Sequence, residues 1–563
     1  MPALTLHLAL LPALLAAVAP DAPELKTWDG RHGIRSIKVS VVYFVPRDRE
    51  PLPDWRDRVG YFARRIERFH AREFGDQSKL SAAVHPEPFR SADSTAELRA
   101  GDANRIFFRT LREVDSALEF GRDDDGAFPI LLVLSDINWR PLDDFYRLSP
   151  QLDGPPEFEG NDNGGQHFPG AKSGGARATY LAGRGVGWGL VSADGWRVPY
   201  RGSDCVVYHE GVGHPIGLPH TDAADPNVMS MGQYHGWISE SWVDEAQKRR
   251  LGWKPPEKPV DRARDLFSAF RALPEPTVPR PGEPVTLNLD WPEGVQLASC
   301  RVRYQTELLG PWHEVDREPG PEPPRSVSLG AFDRPTPVSY RVEATTKDGD
   351  SAELWGYFQV RTDPRTNPTP AGPLEPLATS DAEPAGEPTD LLARVDPARD
   401  AVSGEWSIRD GRLESPRQPG ARIEFPGDVP DEYRLTVVAE PLDDPNGLIL
   451  GQRLAGRRFL VLLDYAGSGS HASALENIDG RNVGNESTYG DSLFRKGRPA
   501  TIVCDVRASG VRVAVDGHVV IDWRGDPSQL SLSDYWKTPN ESLFLGAYDC
   551  RYRVHRAEVA PLE

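Results

Sequence analysis

Residues 363–390, DPRTNPTPAGPLEPLATSDAEPAGEPTD, constrain the fold of this chain more than any other stretch. They are dense in proline and nearly free of large apolar side chains, so they read as an extended linker that no hydrophobic core can run through. The 563 residues therefore divide into pieces that must each bury their own core, as a chain of this length requires in any case.

Residues 4–19, LTLHLALLPALLAAVA, form an apolar run that ends in small residues and is too short for a membrane span. It reads as the core of a signal peptide over residues 1–22, and the chain is expected to be exported to an extracellular, periplasmic or cell-surface location with no membrane span after signal removal. The formal net charge of −19 argues against nucleic acid as a partner. Four cysteines are too few for a disulfide-built scaffold. Cys504 and Cys550 share the C-terminal region and are candidates for pairing, whereas Cys205 and Cys300 read as separate buried thiols.

Between residues 23 and 258 the pattern is mixed α/β. SIKVSVVYFV (36–45) is a β-branched run, and FPILLVLSDI (128–137) is continuously apolar, as a strand buried on both faces would be. Asp54 opens a helical pattern of Trp55, Val59, Phe62, Ile66 and Phe69, and a second helix is expected to start at Asp102. A connector at 259–278 leads to residues 279–362, whose short strands fit an immunoglobulin- or fibronectin type III-like sandwich. After the linker, residues 391–563 alternate short strands with DG turns, the pattern of an all-β jelly roll. The expected fold is thus multidomain: an α/β domain followed by two all-β modules.

The chemistry concentrates in YHEGVGHPIGLPHTD, residues 208–222. His209, His214 and His220 can supply three imidazoles to one zinc ion, leaving a position for water, and Glu210 follows the first of them. In a regular α-helix His209 and His214, five residues apart, would diverge by about 140°. A π-turn closes i to i+5 and restores a shared face. Gly211 and Gly213 tolerate that geometry, and Pro215 disfavours a regular helix at His214. A rival set keeps Glu210, His214 and His220 as ligands, with His209 outside them.

The downstream half, H-x-x-G-x-x-H over His214, Gly217 and His220, followed by Met229 and the helical WVDEAQKRRLGW, resembles the metzincin zinc metallopeptidases. That resemblance implies a metzincin-like fold for residues 23–258 and a zinc endopeptidase acting on a protein or peptide substrate. It also implies His209, His214 and His220 as metal ligands, Glu210 as catalytic base and Met229 as the methionine turn. Asp222 is a candidate to orient a ligand imidazole, and Tyr234 and His235 are candidates to stabilise a transition state. GRDDDG (121–126) and GNDNGG (160–165) offer oxygens that Ca2+ can use, without the full spaced ligand set.

GEWSIRDGRLES, RRFLVLLDY and SLFLGAYDC resemble laminin-G or concanavalin-like jelly rolls, which implies a glycan or cell-surface ligand. Trp406, Tyr465 and Trp536 are the candidates to stack on sugar. Two functions therefore compete: a secreted zinc endopeptidase carrying β modules, and an exported glycan- or protein-binding protein whose metal domain is structural or catalytically inactive.

Overall fold

The computed structural model describes residues 24–563 apart from 122–125, 141, 143–147, 150–155, 159–160, 164–165, 169–174, 223–225, 231–235, 316–321, 364–367, 375–383 and 468–470. The signal segment 1–22, Tyr234 and His235 fall outside this description, as do parts of both acidic loops considered for Ca2+. Among the described residues no helix is long and apolar enough to cross a membrane.

The N-terminal piece is built on a mixed sheet. Strands Lys79–Val84, Ser36–Val45, Phe128–Ser135 and Val186–Val191 run parallel in that order, and Ala176–Leu181 closes the edge antiparallel to Val186–Val191. The apolar runs are continuous because both faces are covered. Val39, Val41, Ile130 and Leu132 enter one core, while Val42, Phe44, Leu131 and Val133 enter another. Helix Trp55–Phe74 packs Val59, Phe62, Ile66 and Phe69 on the first face, and helix Ala103–Leu118 packs Phe107, Leu111 and Val114 on the second. Asp102 caps its helix through the Arg105 amide at 2.8 Å. Asp54 stands at the expected helix start but accepts from Arg58 Nε and Trp312 Nε1 instead of a backbone amide.

A β-sandwich of one three-stranded and one four-stranded sheet follows. Its first strand, Arg271–Glu275, lies inside the stretch read from the sequence as connector. Phe267, just before it, packs in the α/β core, while Leu266 and Phe270 pack in the sandwich core, so the connector itself is anchored between the two. Trp355, on the sandwich strand Ser351–Val360, is fully buried in the α/β core, and its carbonyl accepts from Trp237 Nε1 at 2.8 Å. The 363–390 stretch is not a free tether throughout. Ala371 is buried in the α/β core and its carbonyl accepts from the Leu308 amide, and Thr389–Asp390 pairs with the last strand.

The C-terminal piece is a two-sheet jelly roll with an eight-stranded and a six-stranded sheet around its own core, which includes Leu435, Val437, Leu450, Val461, Val513 and Leu545. On the other face of the six-stranded sheet Ile449, Leu460, Leu462 and Phe544 form a second cluster, sealed by Trp536. Cys504 and Cys550, the candidates for pairing, are both buried free thiols, as is Cys205. Burial pushes the Cys205 thiol well above its ordinary value.

Candidate metal centre

Helix Ser203–Tyr208 leads directly into a π-helical turn, His209–Gly213, and then a short 3-10 turn, His214–Ile216. The wider turn absorbs the extra residue and puts His209 and His214 on one side. Its surroundings depend on bare backbone. A Cβ on Gly189, in the neighbouring strand, would collide with the Glu210 carbonyl oxygen, and one on Gly213 would collide with Met229 Sδ. Met229, fully buried, therefore lies against the turn. At Gly217, φ is +88°, in the left-handed region, and the chain turns there to return His220 to the cluster.

The three Nε2 atoms converge. His209 and His214 are 2.8 Å apart, His209 and His220 3.1 Å, and His214 and His220 3.2 Å. His209 Nδ1 lies 2.8 Å from the Val228 carbonyl oxygen, and His214 Nδ1 lies 2.7 Å from that of Leu218. A carbonyl can only accept, so each Nδ1 carries the ring proton and each Nε2 presents a lone pair. Lone pairs at that separation repel unless a cation lies between them. In a tetrahedral zinc site with ordinary Zn–N bonds, nitrogens stand about 3.3 Å apart. The residues therefore fit a divalent metal, with the backbone carbonyls orienting two ligands. Among the described residues this is the one group of His, Cys, Asp and Glu that could hold a metal ion. Such an ion, when bound by three imidazoles, supplies a Lewis acid and a site for one water.

Burial pushes the His209 imidazole down to about 3, with His214 adding to the effect, and also lowers His214. Both rings are thus neutral and ready to ligate at neutral pH. Glu210 lies outside the set of mutually close ligand atoms, so the rival Glu210–His214–His220 arrangement is not the one formed. Its Oε2 is buried without a hydrogen-bond partner. Burial pushes the carboxyl up to about 8, with Arg177 acting in the opposite direction. Asp222 is exposed, and the Nδ1 atoms of His209 and His214 face the Val228 and Leu218 carbonyls in its place. Those carbonyls escaped the sequence reading because no side-chain pattern marks a backbone acceptor, and Arg177 did because it lies far from Glu210 in the chain.

No protein-family model matches the chain, and no curated protein matches it. Solved structures do. A carbohydrate-binding module from Bacillus subtilis is 11% identical, with 28% of this chain and 93% of that one covered and a TM-score of 0.22. A Bacillus subtilis protein of unknown function with a galectin-like fold is 14% identical, with 32% and 98% covered and a TM-score of 0.25. A Caenorhabditis elegans galectin is 14% identical, with 27% and 99% covered and a TM-score of 0.19.

These comparisons correct the expectation of a metzincin peptidase. The similar structures are galectin-like and carbohydrate-binding modules, and no family model or curated protein supports a metallopeptidase. The expectation of peptidase activity falls with it, and a protein substrate is left without support. What stands is a multidomain, mostly β chain with a three-histidine cluster in its α/β piece.

Proposed function

We propose that the chain is an exported glycan-binding protein whose α/β domain holds one divalent metal ion, zinc foremost, in a structural role. The observation that carries the reading is the C-terminal jelly roll, a complete sandwich with its own core. Two buried carboxylates of its six-stranded sheet, Glu424 and Glu476, stand in one register line through Phe544, Gly451 and Leu460. Four strand spacings separate them, about 19 Å. Sugar hydrolysis by two carboxylates uses separations of about 5–9.5 Å. Glu424 is also engaged, accepting from the Asn540 amide and side chain at 2.9 and 2.7 Å. These two carboxylates are therefore too far apart to act together on one glycosidic bond.

In the α/β domain the ion would tie the π-turn to the segment that carries His220 and Met229. Two measurements test the reading on the full chain. Affinity electrophoresis through gels containing neutral polysaccharides should show retardation by at least one of them. Chelation should lower the melting temperature and leave that retardation unchanged. Free migration through every polysaccharide gel would refute glycan binding, and an unchanged melting temperature after verified metal removal would refute the structural role of the ion.

A further inference from the structure

The face of the six-stranded sheet cannot itself receive a ligand, because it is already filled. Ile449, Leu460, Leu462, Phe544 and Trp536 are all buried there. Val483 and Leu532 pack against them from the neighbouring loops. Trp536, expected from the sequence as a sugar-stacking side chain, belongs to this seal. Trp406 is likewise buried, with its Nε1 bonded to the Ser403 carbonyl at 3.0 Å.

At one loop end of the same sheet the situation is different. Tyr465 and Tyr548 meet edge to face with ring centroids 5.5 Å apart. Tyr535 is 52% exposed, one of few large side chains with an apolar body left so open on the described surface. Each ring rests against bare backbone. A Cβ on Gly447 would stand 2.8 Å from Tyr548 Cβ and 3.7 Å from the Tyr465 ring; one on Gly420 would stand 2.6 Å from the Tyr535 hydroxyl. Gly467 lies against Tyr465 in the same way. Ala421, Ala547 and Leu448 stand side by side in one register line, so Gly420 under Tyr535, Tyr548, and Gly447 under Tyr548 and Tyr465 lie together at one end of the sheet. Asp549, next to Tyr548, pairs with Arg417 at 3.3 Å, which leaves the rim without a strong net charge.

We infer that Tyr465, Tyr535 and Tyr548 form the ligand platform of the jelly roll and that its ligand is a neutral hexopyranose chain. An open ring at Tyr535 beside the half-buried rings of Tyr465 and Tyr548 offers apolar faces and hydroxyl tips, which match a ligand that has flat C–H faces and hydroxyl edges. The balanced rim and the overall charge of −19 disfavour an acidic polysaccharide. This inference rests on the glycan-binding reading and adds the site and the ligand class.

The test is isothermal titration of the full chain with cellohexaose, laminarihexaose and chitohexaose. At least one should bind. Tyr535→Ala and Tyr465→Ala should each weaken that binding about tenfold or more, the loss expected for one aromatic contact. Tyr535→Phe should stay within about threefold, because the stacking face is kept. Tyr535 is exposed, so its Ala variant should melt with the wild type, and that variant alone decides if Tyr465→Ala misfolds. Unchanged binding in Tyr535→Ala overturns the platform and leaves the glycan reading standing. No binding by any hexasaccharide overturns both.

Discussion

The Nε2 atoms of His209 and His214 face each other at 2.8 Å while the opposite nitrogen of each ring is bound to a backbone carbonyl. Two unprotonated nitrogens hold that separation comfortably only around a shared cation. The purified chain should therefore carry about one divalent metal ion. His214→Ala or His220→Ala should lower its metal affinity by about tenfold or more, since a three-ligand site loses much of its binding with one imidazole. Elemental analysis after dialysis against a weak chelator reads this directly. Full occupancy in both variants would remove the site.

The π-turn should be sensitive to its glycine neighbours. Gly189→Ala places a methyl group on the Glu210 carbonyl oxygen, whereas a Cβ on Gly183, in the adjacent turn, meets nothing within 4 Å. Gly189→Ala should cost about 1–3 kcal/mol, the range for forced overpacking, and Gly183→Ala should remain within about 0.5 kcal/mol. Denaturant titration of both proteins provides the comparison; equal midpoints would mean that the strand does not press on the turn.

Stability should fall in mild acid through His70. Its Nδ1 lies 3.1 Å from the Tyr208 hydroxyl and its Nε2 2.9 Å from Ser78 Oγ, and Ser78 donates to the Ile34 carbonyl. Burial pushes the imidazole down to about 3. Between that value and the ordinary value near 6.5, the unfolded chain takes up a proton that the folded one refuses. The contribution is therefore complete above about pH 6.5 and declines as the pH falls towards 3, at up to about 1.4 kcal/mol per pH unit. Comparing pH 7 with pH 5, His70→Gln should lose less stability than the wild type. Identical losses would contradict the argument.

Trp355 links the sandwich to the α/β core. Its ring lies beside Tyr61 and Trp312, at 5.7 and 5.0 Å between centroids. Trp355→Ala should cost about 3–5 kcal/mol, as large core deletions do. The lost stability should appear in both domains, measured as faster hydrogen exchange in helix Trp55–Phe74 as well as in strand Ser351–Val360. Exchange that rises only in the sandwich strand would show that the two cores unfold independently.

Much of the secondary structure was legible in the chain itself. SIKVSVVYFV was legible as a strand from its β-branched residues, and FPILLVLSDI as a strand buried on both faces, because continuous apolar sequence leaves no side for water. Asp102 and the DG turns marked element boundaries by chemistry that acts within a few residues. The spacing of His209, His214 and His220, with glycines between the first two, was enough to lead to a π-turn bringing the rings together. Where each ring's second nitrogen goes was settled by tertiary structure, since Val228 and Leu218 act through carbonyls that every residue possesses. The same holds for the aromatic residues of the jelly roll. Trp406, Tyr465 and Trp536 look equivalent as letters, yet folding buries the two tryptophans and leaves Tyr465 beside Tyr548, near exposed Tyr535. Sequence fixes which side chains carry rings and imidazoles; which of them meet water, a metal or one another depends on contacts between segments far apart in the chain, and no local pattern encodes those.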